Sequence, residues 1–225
     1  MQHNVLGIDL GGCMSGNSAY VYATIDGDRI TIIEAFKEPR HKEHESCLEF
    51  LVEACKRHSV DAIAIDAPLG IPAALSDPDA LQLPRSGNGE ILNPYLFRYT
   101  DYYLYEQFGL RPMPPAGDRI GRLSARAIAL LHRLEYRFPE LLLNDKRVPV
   151  YEVYPKQIAH TLGIKEYKKD PASLFERLQC SPLEHFDEHL LDALLCVYGA
   201  GRILEGHTAQ PPKEVIQEGW CFPVF

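Results

Sequence analysis

Hydrophobic and polar positions alternate in blocks along this chain. Val5 to Leu10 is a short apolar run that ends in Asp9-Leu10-Gly11-Gly12. A continuous apolar run closed by glycine predicts a strand buried on both faces. Residues 19–25 and 29–36 are rich in Tyr, Val, Ile and Thr, and Asp26-Gly27 between them is a strong hairpin signal. The opening is therefore predicted to be a meander of three strands. Residues 44–58 switch to helical spacing through Cys47, Leu48, Leu51, Val52 and Cys55. Asp61 to Asp66 then reads as another buried strand, stopped by Pro68 and Gly70. Strand, helix and strand in that order imply parallel pairing through a right-handed crossover.

Residues 71–147 contain no convincing strand. A Pro/Gly-rich loop at 72–94 is followed by an aromatic helix at about 94–108, a proline loop from Arg111 to Gly117 and a longer helix at about 119–138. The pattern predicts a helical insertion at 71–147 within one domain spanning 1–225. Val148 to Val153 is the next buried strand. Helices are predicted at about 155–162, 171–178 and 187–205, and the tail from Ala209 to Phe225 is irregular. The fold class is α/β: an antiparallel three-stranded meander plus two parallel strands in one mixed five-stranded sheet, flanked by helices.

Three buried strands each carry an acid: Asp9, Asp66 and Glu152. An unpaired buried charge is costly, so acids at the carboxyl ends of neighbouring strands suggest that something positive sits between them. Hard cations such as Mg²⁺ or Mn²⁺ take oxygen ligands of this kind. The last helix adds Asp192, which falls among Leu190, Leu191, Leu194, Leu195 and Val197, with His189 one turn earlier on the same side. Asp187 and Glu188 suit a helix N-terminus. Each acid also has a simpler reading: a turn residue for Asp9 and Asp66, an arginine partner for Glu152.

Gly-Ile-Asp9-Leu-Gly-Gly, Ala-Ile-Asp66-Ala-Pro-Leu-Gly, Tyr-Glu152-Val-Tyr-Pro and His189-x-x-Asp192-Ala-Leu together resemble a family of predicted ribonuclease H-like nucleases. The last of these is also similar to the final catalytic helix of RuvC-type Holliday junction resolvases. The resemblance runs from Val5 to about Gly206 and is weakest across 71–147. It implies a ribonuclease H-like sheet and a metal-dependent hydrolase of phosphodiesters, acting on DNA, RNA or a smaller phosphoester. It further implies that Asp9 bridges two metal ions, that Asp66 and Asp192 each hold one side, and that His189 or Glu152 orients the water. Arg98 would lie near the site. Two other readings stay open. Gly7 to Gly12 also looks like the first phosphate loop of the actin and sugar kinase group, although no second such loop is evident. A non-catalytic member that binds nucleic acid or a partner is the other.

The formal net charge of −8 argues against a protein that coats nucleic acid. Charge is uneven, however. Residues 111–147 carry eight basic side chains against four acids, and Arg119, Arg122, Arg126, Arg133 and Arg137 fall within roughly 60° of one helix face. Such a stripe can hold phosphate groups, or it is a solvated face whose arginine stems cover apolar surface. Tyr95, Phe97, Tyr99, Tyr102, Tyr103, Tyr105 and Phe108 crowd the preceding helix, suited to core packing, a subunit contact or base stacking. His41, His44 and Cys47 do not have the spacing of a familiar zinc site. With no Cys-x-x-Cys pair, the six cysteines are read as free thiols. With no signal-like N-terminus and no membrane-length apolar run, the expected setting is cytoplasmic. The oligomeric state is open, with a homodimer among the options.

Overall fold

The computed structural model describes residues 1–12, 16–38, 48–77, 93–135, 140–143, 146–182, 187–210 and 218–225. The His41, His44 and Cys47 group, Cys13 and Arg137 lie outside these residues. The meander forms as β1 (Gln2–Asp9), β2 (Ala19–Asp26) and β3 (Arg29–Lys37). β1 pairs antiparallel with β2, and β2 with β3. Asp26 lies opposite Arg29, so Gly27 is the first turn residue, and its φ of +58° is the left-handed geometry that glycine adopts without cost. Helix α1 (Glu49–Arg57) crosses over to β4 (Ala62–Asp66), which lies parallel to β1. β6 (Lys146–Glu152) lies parallel to β4 on its far side.

These five strands are the ones the sequence pattern predicts. A sixth was not expected: β5 (Glu140–Leu143) pairs antiparallel with β6 at the edge, giving the order β3-β2-β1-β4-β6-β5. It is only four residues long, too short to show an alternating pattern. The other helices are α2 (Tyr99–Phe108), α3 (Asp118–Arg133), α4 (Pro155–Thr161), α5 (Pro171–Arg177) and α6 (Glu188–Leu204). No helix among the described residues is long and apolar enough to cross a membrane.

The sheet separates two cores, and strand alternation decides which residue serves which. Leu6 and Ile8 of β1, with Ile63 and Ile65 of β4, face α1 and α3, where Leu51, Val52, Ala127 and Leu130 cover them. Val5 of β1 and Ala62 and Ala64 of β4 face α6 and its neighbours α4 and α5. α6 is buried continuously from Leu190 to Gly201 because it lies flat on the sheet. It approaches β1 closely at Gly7: a Cβ there would stand 2.2 Å from the Ala193 carbonyl oxygen and 2.7 Å from the Val197 nitrogen. Only glycine admits a backbone this near.

The aromatic segment 95–108 serves packing in large part. Tyr103 lies against Trp220 with ring centroids 5.2 Å apart, and Phe108 stacks on Phe225 at 5.9 Å, pinning the C-terminal tail. Cys55, Cys180, Cys196 and Cys221 are free thiols, and all but Cys180 are buried.

Candidate metal centre

Asp9 is the last residue of β1 and Asp66 the last of β4, and the parallel register sets them directly opposite one another. Both continue the parity of the α6-facing positions, so both carboxylates emerge beneath the first turns of that helix. Asp187 caps α6, its side chain accepting from the backbone N–H groups of His189 and Leu190 at 3.0 and 3.1 Å. The cap fixes the start of the helix, and Asp192 then comes round over the two strand ends. One ligand oxygen from each of Asp9, Asp66 and Asp192 lies within 4.8 Å of the others. The sequence-predicted trio is thus assembled from three elements.

Three carboxylates this close repel one another, and their ionisation shows it. Burial, opposed by the bond from His189 and aided by the charge of Asp192, raises Asp9 to about 6. Asp66 is pushed well above the usual carboxylate range by burial first and then by Asp9 and Asp192. Burial also raises Asp192, against the pull of Lys168 and Tyr167. Two basic side chains reach the trio. His189 donates from Nδ1 to Asp9 Oδ2 at 2.7 Å, and this bond raises the imidazole above its ordinary value. Lys168 donates from Nζ to Asp192 Oδ2 at 2.6 Å, while the Tyr167 hydroxyl donates to Oδ1. An oxygen-only set with excess negative charge, buried at Asp9 and Asp192 and half-buried at Asp66, fits a hard divalent cation.

Glu152 is not brought into this group. Strand β6 pairs Glu152 with Ile65, one position before Asp66, so its side chain leaves the sheet on the opposite face from Asp9 and Asp66. There it meets Arg98 in a bidentate pair, with Nη1 to Oε2 and Nη2 to Oε1 both at 2.7 Å, and it accepts from the Leu69 backbone at 2.8 Å. Arg98 was expected near the site, and it lines the same cavity as Asp9 and Asp66, but it is 1% exposed, with its guanidinium committed to Glu152 and Asp101.

The arginine stripe on α3 also divides. Arg119 and Arg122 are exposed, and Arg122 pairs with Asp118 at 3.3 Å within the helix. Arg126 is buried and clamps the polypeptide: its guanidinium donates to the Gly11 carbonyl, to Ser18 Oγ at 2.6 Å and to Glu38 at 3.1 and 3.2 Å. Arg133 pairs with Glu49 of α1.

The trio opens in two directions. On one side is a cavity of about 190 Å³ with apolar walls from Leu104, Met113, Ile120 and Leu123, lined also by Asp9 and Asp66 and by the Arg98–Glu152 pair. On the other is a cleft walled by the α4–α5 connection, with Lys156, Lys165, Tyr167 and Lys168 around Asp66 and Asp192. Sequence reasoning passed over Tyr167 and Lys168. They sit in a polar loop without periodicity, and their only available signal was the basic run Lys168-Lys169 beside an aromatic.

Two Thermus thermophilus RuvC structures are similar in part. RuvC in complex with a Holliday junction substrate is 14% identical with a TM-score of 0.45, covering 90% of this chain and 96% of that one. A second RuvC structure is 16% identical with a TM-score of 0.46, covering 92% and 97%. No curated protein matches the sequence. Residues 7–216, which hold all three clustered acids, match the family model described as "Protein of unknown function (DUF429)", and the chain belongs to that family.

Proposed function

We propose that this protein is a metal-dependent hydrolase of phosphoester bonds, with Asp9, Asp66 and Asp192 as the ligands of Mg²⁺ or Mn²⁺. One observation carries the reading: carboxylates from β1, β4 and α6 converge within 4.8 Å at the carboxyl edge of the sheet. A divalent ion bound there would polarise a phosphoryl oxygen and make a bound water more acidic.

The chain's own residues supply the rest. Hydrolysis requires a proton to leave the attacking water as its oxygen bonds to phosphorus and the ester P–O bond breaks. His189 is the base suited to take it, because Asp9 fixes the ring through Nδ1 and leaves Nε2 as its other polar atom. Glu152 drops out of that role, since both its oxygens are taken by Arg98. Arg119 and Arg122 stand exposed on the helix whose Ile120 and Leu123 wall the cavity, a position suited to phosphate contact beside the centre. The substrate is a phosphodiester of DNA or RNA or a smaller phosphoester.

The test is calorimetric titration of Mg²⁺ and Mn²⁺ into the wild type and Asp9→Asn, with labelled single-stranded, duplex and branched DNA and RNA and a set of small phosphoesters assayed in parallel. Metal binding with cleavage, both lost in the variant, is the expected result. A wild type that binds neither ion would remove the reading.

A further inference from the structure

Asp192 is paired with a cationic side chain. The Lys168 ammonium lies 2.6 Å from Asp192 Oδ2 and 3.6 Å from Glu188 Oε2, and its side chain is 41% exposed against 10% for Asp192. Lys168 therefore reaches in from the cleft, whereas Asp192 is fixed below. The neighbouring Tyr167 is buried and holds the other oxygen of the same carboxylate. The loop that carries both is tied by backbone bonds from Tyr167 to Ile164 at 3.1 Å and from Asp170 to Glu166 at 3.0 Å. Its backbone is thus hydrogen-bonded in place, while Lys168 extends from it on a flexible four-carbon stem.

Four lysines line the cleft: Lys156, Lys165, Lys168 and Lys169. Among the described residues that line it, the acids are Asp66 and Asp192 at its floor and Glu166, which pairs with Lys169 at 2.6 Å, while Glu188 flanks Lys168 from outside the lining. A lysine-walled cleft of about 410 Å³ that ends on a metal-binding carboxylate has the charge and the room for a phosphate group. The chain is acidic overall, so this grouping of lysines is local, and Lys156 and Lys165 stand in it beside the paired Lys168 and Lys169.

We propose that this cleft is the phosphate-binding subsite of the centre, and that Lys168 is its exchangeable cation, held on Asp192 until a divalent ion takes that carboxylate and then turned to the phosphate ester. The proposal rests on the metal-centre reading above. A divalent ion and Lys168 compete for Asp192, and the released ammonium strengthens anion binding, so metal and phosphate ester bind cooperatively.

The test uses Lys168→Met and the double variant Lys156→Gln/Lys165→Gln, with the wild type as reference. Mg²⁺ affinity is measured by calorimetry. Anion binding is measured by fluorescence with a short cleavage-resistant phosphorothioate oligonucleotide and with a nucleoside monophosphate, each in metal-free and Mg²⁺ buffer. Lys168→Met is expected to bind Mg²⁺ about three- to tenfold more tightly, as loss of a partly exposed ion pair allows, and to lose the gain in anion binding that Mg²⁺ confers on the wild type. The double variant is expected to weaken anion binding in both buffers. A stronger effect on the oligonucleotide identifies a nucleic-acid strand as the source of the phosphate, and an equal effect identifies a small phosphoester. Unchanged or weaker Mg²⁺ binding by Lys168→Met would overturn the exchange. Unchanged anion binding in the double variant would overturn the cleft. If the wild type binds no Mg²⁺, the metal centre and the exchange both fall, and the metal-free arm still decides the cleft.

Discussion

Asp9 and Asp66 face each other across adjacent parallel strands, the last pair of the β1–β4 ladder. Nothing in a ladder forces two acids into that position, and their mutual repulsion opposes folding. Asp66 carries the heavier penalty, since burial, Asp9 and Asp192 all disfavour its charged form. Asp66→Asn is therefore expected to stabilise the metal-free protein by about 1–2 kcal/mol while weakening Mg²⁺ binding by at least about tenfold. Thermal melts in chelator and calorimetric titration measure the two effects. A variant that is less stable without metal would show that the Asp66 charge is compensated in the fold.

The same charges set a pH dependence with a definite sign. Asp9 rises from an ordinary 3.8 to about 6, so between those values the folded state holds more protons than the unfolded one. Stability without bound metal accordingly falls as pH rises from about 4 to about 6. His189 is also raised, and its contribution is lost as pH climbs through its folded value, in the same direction. Asp61 and Asp187 are lowered and act in the opposite sense, but only as pH falls below the usual aspartate range. Metal binding needs the deprotonated acids, so the increment in melting temperature from Mg²⁺ is expected to grow from pH 5 to pH 8. A Mg²⁺ increment independent of pH would exclude coupling of the cluster to the ion.

The five predicted strands and the Asp9, Asp66 and Asp192 set were legible because apolar runs, Asp26-Gly27 and the helical spacing around Asp192 are local signals. Glu152 shows where local reading stops. Its strand carries an acid near the carboxyl end just as the others do, yet a one-residue offset in register sends it to the far face. Register depends on pairing, which a single strand does not encode. Arg126 shows the same limit on a helix: its angular position matches Arg119 and Arg122, but only the packing of Glu38, Ser18 and Gly11 buries it. Lys168 reaches Asp192 from 24 residues away through a loop, and no periodicity reports such a contact.

Gly7 sets the distance between α6 and the sheet. A methyl group there would meet the Ala193 carbonyl at 2.2 Å and the Val197 nitrogen at 2.7 Å, both backbone atoms that cannot turn aside. Gly7→Ala is expected to displace the helix that carries Asp192. The predicted cost is about 3 kcal/mol or more, together with weaker metal binding. Chemical denaturation reads the first effect and calorimetry the second. Unchanged stability would mean that α6 lies farther from β1.

Arg98 and Glu152 form a buried pair whose value is asymmetric. Removing the guanidinium leaves Glu152 and Asp101, 4% and 2% exposed, without their shared counter-charge. Arg98→Met is expected to cost about 3–5 kcal/mol, and Arg98→Met/Glu152→Met to recover part of that. Neither residue meets the metal cluster, so Glu152→Gln is expected to leave Mg²⁺ affinity within about twofold of wild type, a change of under about 0.5 kcal/mol. A large loss of Mg²⁺ affinity in Glu152→Gln would return Glu152 to the centre.

The α3 arginines separate surface from scaffold. Arg122 and its partner Asp118 are 82% and 86% exposed, and a pair of that kind contributes little. Arg119→Gln/Arg122→Gln is therefore expected to shift stability by no more than about 0.5 kcal/mol while reducing retention on heparin. Arg126→Gln takes the guanidinium away from Glu38, whose side chain is fully buried, and from the Gly11 carbonyl just beyond Asp9. Its expected cost is about 3 kcal/mol, because a carboxylate enclosed with a guanidinium is poorly held without it. The Gly11 contact ties this loss to the metal centre, so Arg126→Gln is also expected to weaken Mg²⁺ binding, whereas the surface pair leaves it unchanged. Equal heparin retention by Arg119→Gln/Arg122→Gln and the wild type would remove α3 from the substrate surface and leave the lysine cleft as the basic wall of the site.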